Sequence, residues 1–398
     1  MGSYSSEIVP KIEAILANAK KLKNDDLSAR LGLMTQVDRL YQDLESPIEL
    51  FFRQWTDVTV YSCVNIAIKL GIFEKMKAKD SISAQELADF VGVDLDVIVR
   101  VMRVLVAAGI VASPVEETYS HTPKSLIFVR GKGTAVGSFE LIALYAKSYL
   151  SLPEYLKTRP SADLYDVCKT PYAYEYGIEG KPFYEALSSV PQHLDIFNRA
   201  MDEPTTECGI FPWSSLKEEV QAEPDRAFIV DIGGGSGKVL HFAKAETGDV
   251  FGTSARLILQ ERPDALAQLD PAQQAGVEMM AYDFHTEQPI KGAHIYHLGH
   301  ILHNHPDHIC RDILKRIAEA MSPKSRLLIF DAVIPARTEP GKYMNGYLID
   351  IVGLATGGKE RTEKETAALL DAEGLEFVRV WHGQAGWQGV IEARLKRG

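Results

Sequence analysis

Residues 228–238 read FIVDIGGGSGK. Phe228, Ile229, Val230 and Ile232 form a short apolar run suited to a buried parallel strand, with Asp231 at its end. Gly233, Gly234 and Gly235 permit a tight turn and bring bare backbone against a ligand. A helix follows over 239–246, and its N-terminus offers free N–H groups to a polar or negative ligand.

The glycines at 233, 235 and 237 give G-x-G-x-G, and Lys238 stands where a dinucleotide fingerprint has its third glycine. This spacing resembles motif I of S-adenosylmethionine-dependent methyltransferases. The competing reading is an ordinary glycine-rich βα loop.

Working outward, strand candidates recur at 228–232, 255–259, 276–281, 294–298, 326–331 and 378–381. Helices fall between them at about 238–246, 263–269, 307–321 and 363–373. Such alternation predicts a Rossmann-like, doubly wound α/β domain with ligands at the carboxyl ends of its strands. Residues 390–395 suit an antiparallel last strand.

Polar residues sit at those strand ends. Glu261, in LILQERP, can accept hydrogen bonds from both hydroxyls of a ribose, or be a solvated charge before Pro263. Asp283 can take an adenine amino group, and Phe284 can stack on the ring. The segment HIYHLGHILHNHPDHIC holds His294, His297, His300, His303, His305 and His308. Its spacing fits neither H-E-x-x-H nor a cysteine-assisted zinc pattern, so no metal site is expected. One histidine as a general base is the more economical reading, and His303 has the position for it. Asp331, ending the strand RLLIFD, and Glu360, in GGKERT, can orient its ring and stabilise its cation. The structural alternatives are a loop-capping Asp331 and a helix N-terminal Glu360.

The first half is helical. Residues 1–47 form a helical arm, apolar on one stripe and broken near 24–26, which suits oligomerisation. Residues 48–130 read as a winged helix. The helix over 60–70 stops at Gly71, and Ser83–Glu86 is a capping box. A further helix spans 97–108, and the strands 110–112 and 118–122 flank a turn. Asp94 and Asp96 oppose Arg100 and Arg103, and the wing carries Glu116 and Glu117. Phosphate contacts need positive charge, so the module predicts dimerisation rather than DNA binding or a regulator. Residues 131–200 read as a helix over 137–152, a loop-like segment over 157–176 and a helix over 181–201, contributing aromatics to a substrate pocket. Met344, Asn345 and Tyr347 are assigned to the pocket by position alone. Residues 201–398 complete the cofactor domain.

A chain of 398 residues, 46% hydrophobic and 24% charged, suits two or three globular domains. The net charge of −11 disfavours nucleic acid and anionic membranes as partners. Cys63, Cys168, Cys208 and Cys310 form no C-x-x-C and read as reduced thiols. With no transmembrane-length run and no basic, apolar leader at the N-terminus, a cytoplasmic protein is expected.

VDIGGGSGK, LQERP, YDF, HILHN, LLIFDAVIP and GGKERT, in this order, resemble the plant and fungal small-molecule O-methyltransferases. AIKLGIFEKM, SISAQELADFVGVD, RVMRVLVAAGIV and YSHTPKS resemble their dimerisation domain. The resemblance implies a homodimer that binds S-adenosylmethionine through Asp231, Gly233, Gly235, Gly237, Glu261, Asp283 and Phe284. It implies His303 as base, oriented by Asp331 and Glu360, and an aromatic or polyketide-like substrate. Departures are Leu302-His303-Asn304-His305 where the family reads L-H-D-W, Glu261 in place of Asp, and Gly299-His300. Some fungal members resemble pericyclases that bind the cofactor without moving its methyl group, and this is the second functional expectation.

Overall fold

The computed structural model describes residues 4–23, 26–131, 134–201, 209–248, 255–340, 342–383 and 387–397. The helix break expected at Asn24–Asp25 and the thiol expected at Cys208 lie outside these residues. The chain forms two compact units, one of residues 41–151 with 184–204, the other of residues 1–40, 152–183 and 205–398. Among the described residues no helix is long and apolar enough to cross a membrane.

In the first unit, Ser46 and Glu49 cap the helix Pro47–Lys69 reciprocally. Leu70 caps the end of that helix, and Gly71 follows with the left-handed φ of +68° that favours glycine. Strand β1 (Ile82–Ser83) leads into the helix Ala84–Val91, capped by the Ser83–Glu86 box. The helix Leu95–Ala107 starts at Asp94 and precedes β2 (Val111–Val115) and β3 (Thr118–His121). β3 pairs antiparallel with both β2 and β1, so the expected two-strand wing gains a third strand. Ile68, Phe73, Leu87, Ile98, Met102 and Leu105 are fully buried in its core.

Glu140, 2% exposed, is held by Lys69 at 2.9 Å, Arg199 at 2.9 Å and Arg130 at 3.2 Å. Burial pushes its carboxyl up, and the three cations together outweigh this and hold it below the ordinary value. The cations are 41–51% exposed, so water screens part of the attraction.

The helix expected over 181–201 is two helices, Phe183–Ser188 and Pro191–Met201. Pro191 has no N–H to continue the first and suits the opening of the second. The helix expected to stop at 152 runs over Val136–Thr158 despite Pro153. Tyr155, 1% exposed, packs there and donates to the Lys169 carbonyl at 2.6 Å. The segment read as a loop carries a 3-10 turn, Ser161–Tyr165, and the helix Pro171–Glu175, capped by Thr170.

The second unit contains β4 (Ala227–Ile232), β5 (Arg256–Glu261), β6 (Glu278–Ala281), β7 (Ile295–Gly299), β8 (Arg326–Ile334), β9 (Arg361–Thr362), β10 (Leu375–His382) and β11 (Gln388–Leu395). Their order is β10-β11-β8-β7-β4-β5-β6, with β9 paired to β8. β11 runs antiparallel to both its neighbours, and the other pairs are parallel. Every residue of β4 is buried, as a strand covered on both faces requires. One core gathers Val230, Ile232, Ile258 and Leu298, the other Ile229, Leu259, Ile295 and Leu328. The strand order reverses between β4 and β7, the position where open α/β sheets bind ligands.

Two expectations are corrected here. Asp331 does not end β8, which continues to Ile334 because β11 pairs at Ala332 and β9 at Val333 and Ile334. The helix Met344–Thr356, absent from the expected set, stands between β8 and β9.

Glu140→Ala removes the common partner of three cations. Unfolding in urea is expected to show a loss of about 1–2 kcal/mol that shrinks as salt is added.

Candidate active site

The glycine turn follows β4 and is stitched down by backbone. Gly233 and Gly234 donate to the Gln260 carbonyl at 2.7 and 3.4 Å, and Gly237 donates to Gly234 at 2.9 Å. Gly233 has φ +66°, and a Cβ there would stand 2.6 Å from Ile301 Cδ1. Gly235, at φ +57°, is exposed with open space beside it. Its N–H donates to Glu261 Oε2 at 3.1 Å, and Glu261 Oε1 accepts from Arg262 N–H at 2.7 Å. Asp231 is 1% exposed and meets His297 Nδ1 at 2.8 Å through Oδ1, while its Oδ2 has no hydrogen-bond partner. Phe284 lies 4.0 Å from where a Cβ of Gly233 would stand, so the loop after β6 reaches the glycine turn. Asp283 is exposed and accepts the His285 N–H at 2.9 Å, which shapes that loop.

His303 sits in the 3-10 turn Leu302–Asn304 just after β7. Its Nδ1 meets Glu360 Oε1 at 2.7 Å, with side-chain exposures of 17% and 1%. His300, His303 and Asp331 bring ligating atoms within 4.8 Å of one another. His300 has φ +56°, a strained value for this residue type, and donates its N–H to the Phe330 carbonyl. Burial pushes Asp331 up to about 6, opposed by His303. Burial pushes Glu360 up to about 8, opposed by His300 and reinforced by Asp350. Asp331 Oδ1 and Glu360 Oε2 are buried without hydrogen-bond partners. The structure thus brings His303, Asp331 and Glu360 together, with Glu360 in direct contact.

Several supporting residues escaped sequence reasoning. A Cβ at Gly358 would lie 2.1 Å from the His303 carbonyl oxygen, so only glycine allows this approach. Lys359 N–H donates to that same oxygen at 2.8 Å. Arg361, 6% exposed, donates to the carbonyls of Leu302 (3.0 Å) and His305 (2.8 Å) and to Asp307 Oδ1 at 2.7 Å. It clamps both sides of the turn that carries His303. Asp350 accepts the Glu360 N–H at 2.9 Å. Gln274 donates to the Ser236 carbonyl at 3.1 Å and meets His241, bracing the glycine turn. The signal for Gly358 and Arg361 was the GGKERT motif itself. Tyr347 and Asn345 belong to the helix Met344–Thr356, and Met344 is 69% exposed.

A glycine cradle at the switch point of a doubly wound sheet, beside a histidine–carboxylate pair, defines a nucleotide-cofactor enzyme with acid–base capacity. Residues 161–376 match the O-methyltransferase domain and residues 56–131 the O-methyltransferase dimerisation domain. O-methyltransferase hmp5 of Hypomyces subiculosus is 59% identical over 397 residues, covering all of both chains. The solved structure of OxaC in complex with SAH and oxaline is 26% identical at a TM-score of 0.83, covering 98% of this chain and 100% of that one. A solved structure described as a pericyclic reaction enzyme matches with the same identity, TM-score and coverage.

The chain belongs to the O-methyltransferase family. Family membership makes it an enzyme with S-adenosylmethionine as cofactor. The residues present fit that molecule. The open cradle at Gly235, the unpartnered Asp231 Oδ2 below it and the Glu261 carboxylate at its mouth supply donors and acceptors for an amino acid and a ribose.

Raising an acid's pKa on folding means that the folded chain keeps a proton the unfolded chain has released. For Glu360 this holds between its ordinary 4.5 and about 8, so its contribution to stability falls as pH rises through that window. Glu360→Gln removes the dependence. The Tm of the variant minus that of the native chain is expected to increase steadily from pH 5 to pH 8 in calorimetry.

Proposed function

We propose that this enzyme methylates a hydroxyl of an aromatic or polyketide-type metabolite, with His303 as general base. The observation carrying this reading is the 2.7 Å contact between His303 Nδ1 and the buried Glu360. With Nδ1 committed to Glu360, Nε2 is the nitrogen that takes the hydroxyl proton. Glu360 then stabilises the imidazolium, and the nearby Asp331 adds a second acidic group. Asp231, Gly233, Gly235 and Gly237 would cradle S-adenosylmethionine, with Glu261 on its ribose and Asp283 and Phe284 on its adenine. When bound, the cofactor supplies an electrophilic methyl group. Arg361 and Gly358 keep His303 in register with the acceptor, where most of the positional acceleration arises.

A homodimer is part of this reading. The dimerisation domain supports it, as do Ile48, Phe51, Phe52, Trp55 and Val58, all more than half exposed on the helix Pro47–Lys69. The scattered cysteines Cys63, Cys168, Cys208 and Cys310 suit reduced thiols and so a reducing compartment such as the cytoplasm.

The second reading is a pericyclase that holds the cofactor without consuming it. It draws on the likeness to a pericyclic reaction enzyme and on His305, which burial pushes down to about 4 and so keeps neutral. Incubation with methyl-labelled S-adenosylmethionine and phenolic polyketides separates the two. Label in product with equal S-adenosylhomocysteine release supports methyl transfer. An isomerised or dehydrated product with the cofactor intact supports the pericyclase.

For methyl transfer, His303→Gln is expected to lower kcat by about 10²–10⁴-fold while cofactor affinity holds. A wild-type rate would remove His303 from the base role. The pair must lose its extra proton before His303 can act, so kcat/KM is expected to rise with pH and level off above about 8. A profile flat from pH 6 to pH 9 would contradict this.

A further inference from the structure

We propose that His297 is a positioning residue for the cofactor, acting through Asp231. This rests on reading the glycine turn at 233–237 as the cofactor cradle. Asp231 on β4 and His297 on β7 are direct partners in the parallel register, at the place where the strand order reverses. They are 1% and 3% exposed. His297 Nδ1 lies 2.8 Å from Asp231 Oδ1.

The imidazole has little freedom to move. Trp213 packs edge-on against it, with ring centroids 6.2 Å apart. A Cβ at Gly299 would come within 3.0 Å of its Cε1, so glycine makes room for the ring. The other carboxylate oxygen, Oδ2, is buried without a hydrogen-bond partner. It lies against the glycine turn, where a Cβ at Gly234 would stand 2.3 Å from it.

A lone carboxylate in this apolar layer would protonate or turn away. With Nδ1–H donated to Oδ1, the carboxylate is held in one orientation and keeps Oδ2 at the floor of the cradle. There it can accept from a cationic or N–H group resting on the turn. The chemical class it suits is the amino-acid end of the cofactor, which carries an ammonium.

The test is calorimetric titration with S-adenosylhomocysteine, without any acceptor. His297→Leu keeps the bulk and removes the donor. Its Kd is expected to rise about tenfold, the cost of one charge-assisted hydrogen bond. At saturating cofactor, kcat should change less than about twofold, since the base is untouched. His297→Asn, whose amide can donate near the Nδ1 position, should restore most of the affinity. Asp231→Asn should weaken binding in the native background and add nothing to His297→Leu.

A folded His297→Leu protein with native Kd overturns the proposal, and so does an Asn variant as weak as Leu. Should His297→Leu not fold, His297→Asn and His297→Gln decide it. The longer Gln places its donor past Asp231, so equal affinities of the two overturn the proposal. Loss of binding by the native chain itself would instead refute the cradle reading.

Discussion

Two stretches of backbone touch at the centre of this enzyme. Gly358 lies so close to the His303 carbonyl that a methyl group there would stand 2.1 Å from the oxygen. The Lys359 N–H closes the contact with a hydrogen bond to the same oxygen. Glu360 follows directly and is delivered to the imidazole, while Arg361 turns back to grip the carbonyls on either side of it. Four consecutive residues thus set where His303 stands and commit its Nδ1 to Glu360. Side-chain contacts alone would leave such a turn several rotamers to explore.

The same arrangement is electrostatically costly. Two carboxyl groups, Asp331 and Glu360, are buried near two imidazoles, each with an oxygen that finds no hydrogen-bond partner. Protein interiors ordinarily avoid this. Groups whose protonation is displaced in this way concentrate at catalytic centres, because a displaced pKa is what makes a side chain useful near neutral pH. Beneath the glycine turn the buried Asp231 meets His297 at a similar distance.

The sequence made the sheet legible because β4, β5, β7 and β8 are apolar runs separated by helical periods, and Glu261 ends β5 as its motif suggests. Asp331 was misplaced relative to its strand end because β8 is prolonged by partners far along the chain, at 361–362 and 388. Strand length is a property of pairing, and a single run of residues does not contain it. The helix Met344–Thr356 went unseen because its β-branched residues and two glycines are poor helix formers. Packing overrides that preference. The carboxylate partners of His303 were legible from motif order. The Asp231–His297 contact was not, since it joins residues 66 apart through strand register.

β11 lies between β8 and β10, although the chain makes β10 first. Until residues 388–395 pair there, the edge of β8 is open to residues 375–382. β10 runs in the direction of β8 and can lie beside it as a parallel neighbour. Residues 388–395 must then displace that pairing or arrive before it forms. The antiparallel pairing of β10 with β11, seven residue pairs from Leu375 to His382 with a register shift between Phe377 and Arg379, favours a hairpin that docks as one piece. The order of the strands along the chain is in this way opposed to their order in the sheet, and the hairpin is the local structure that reconciles them.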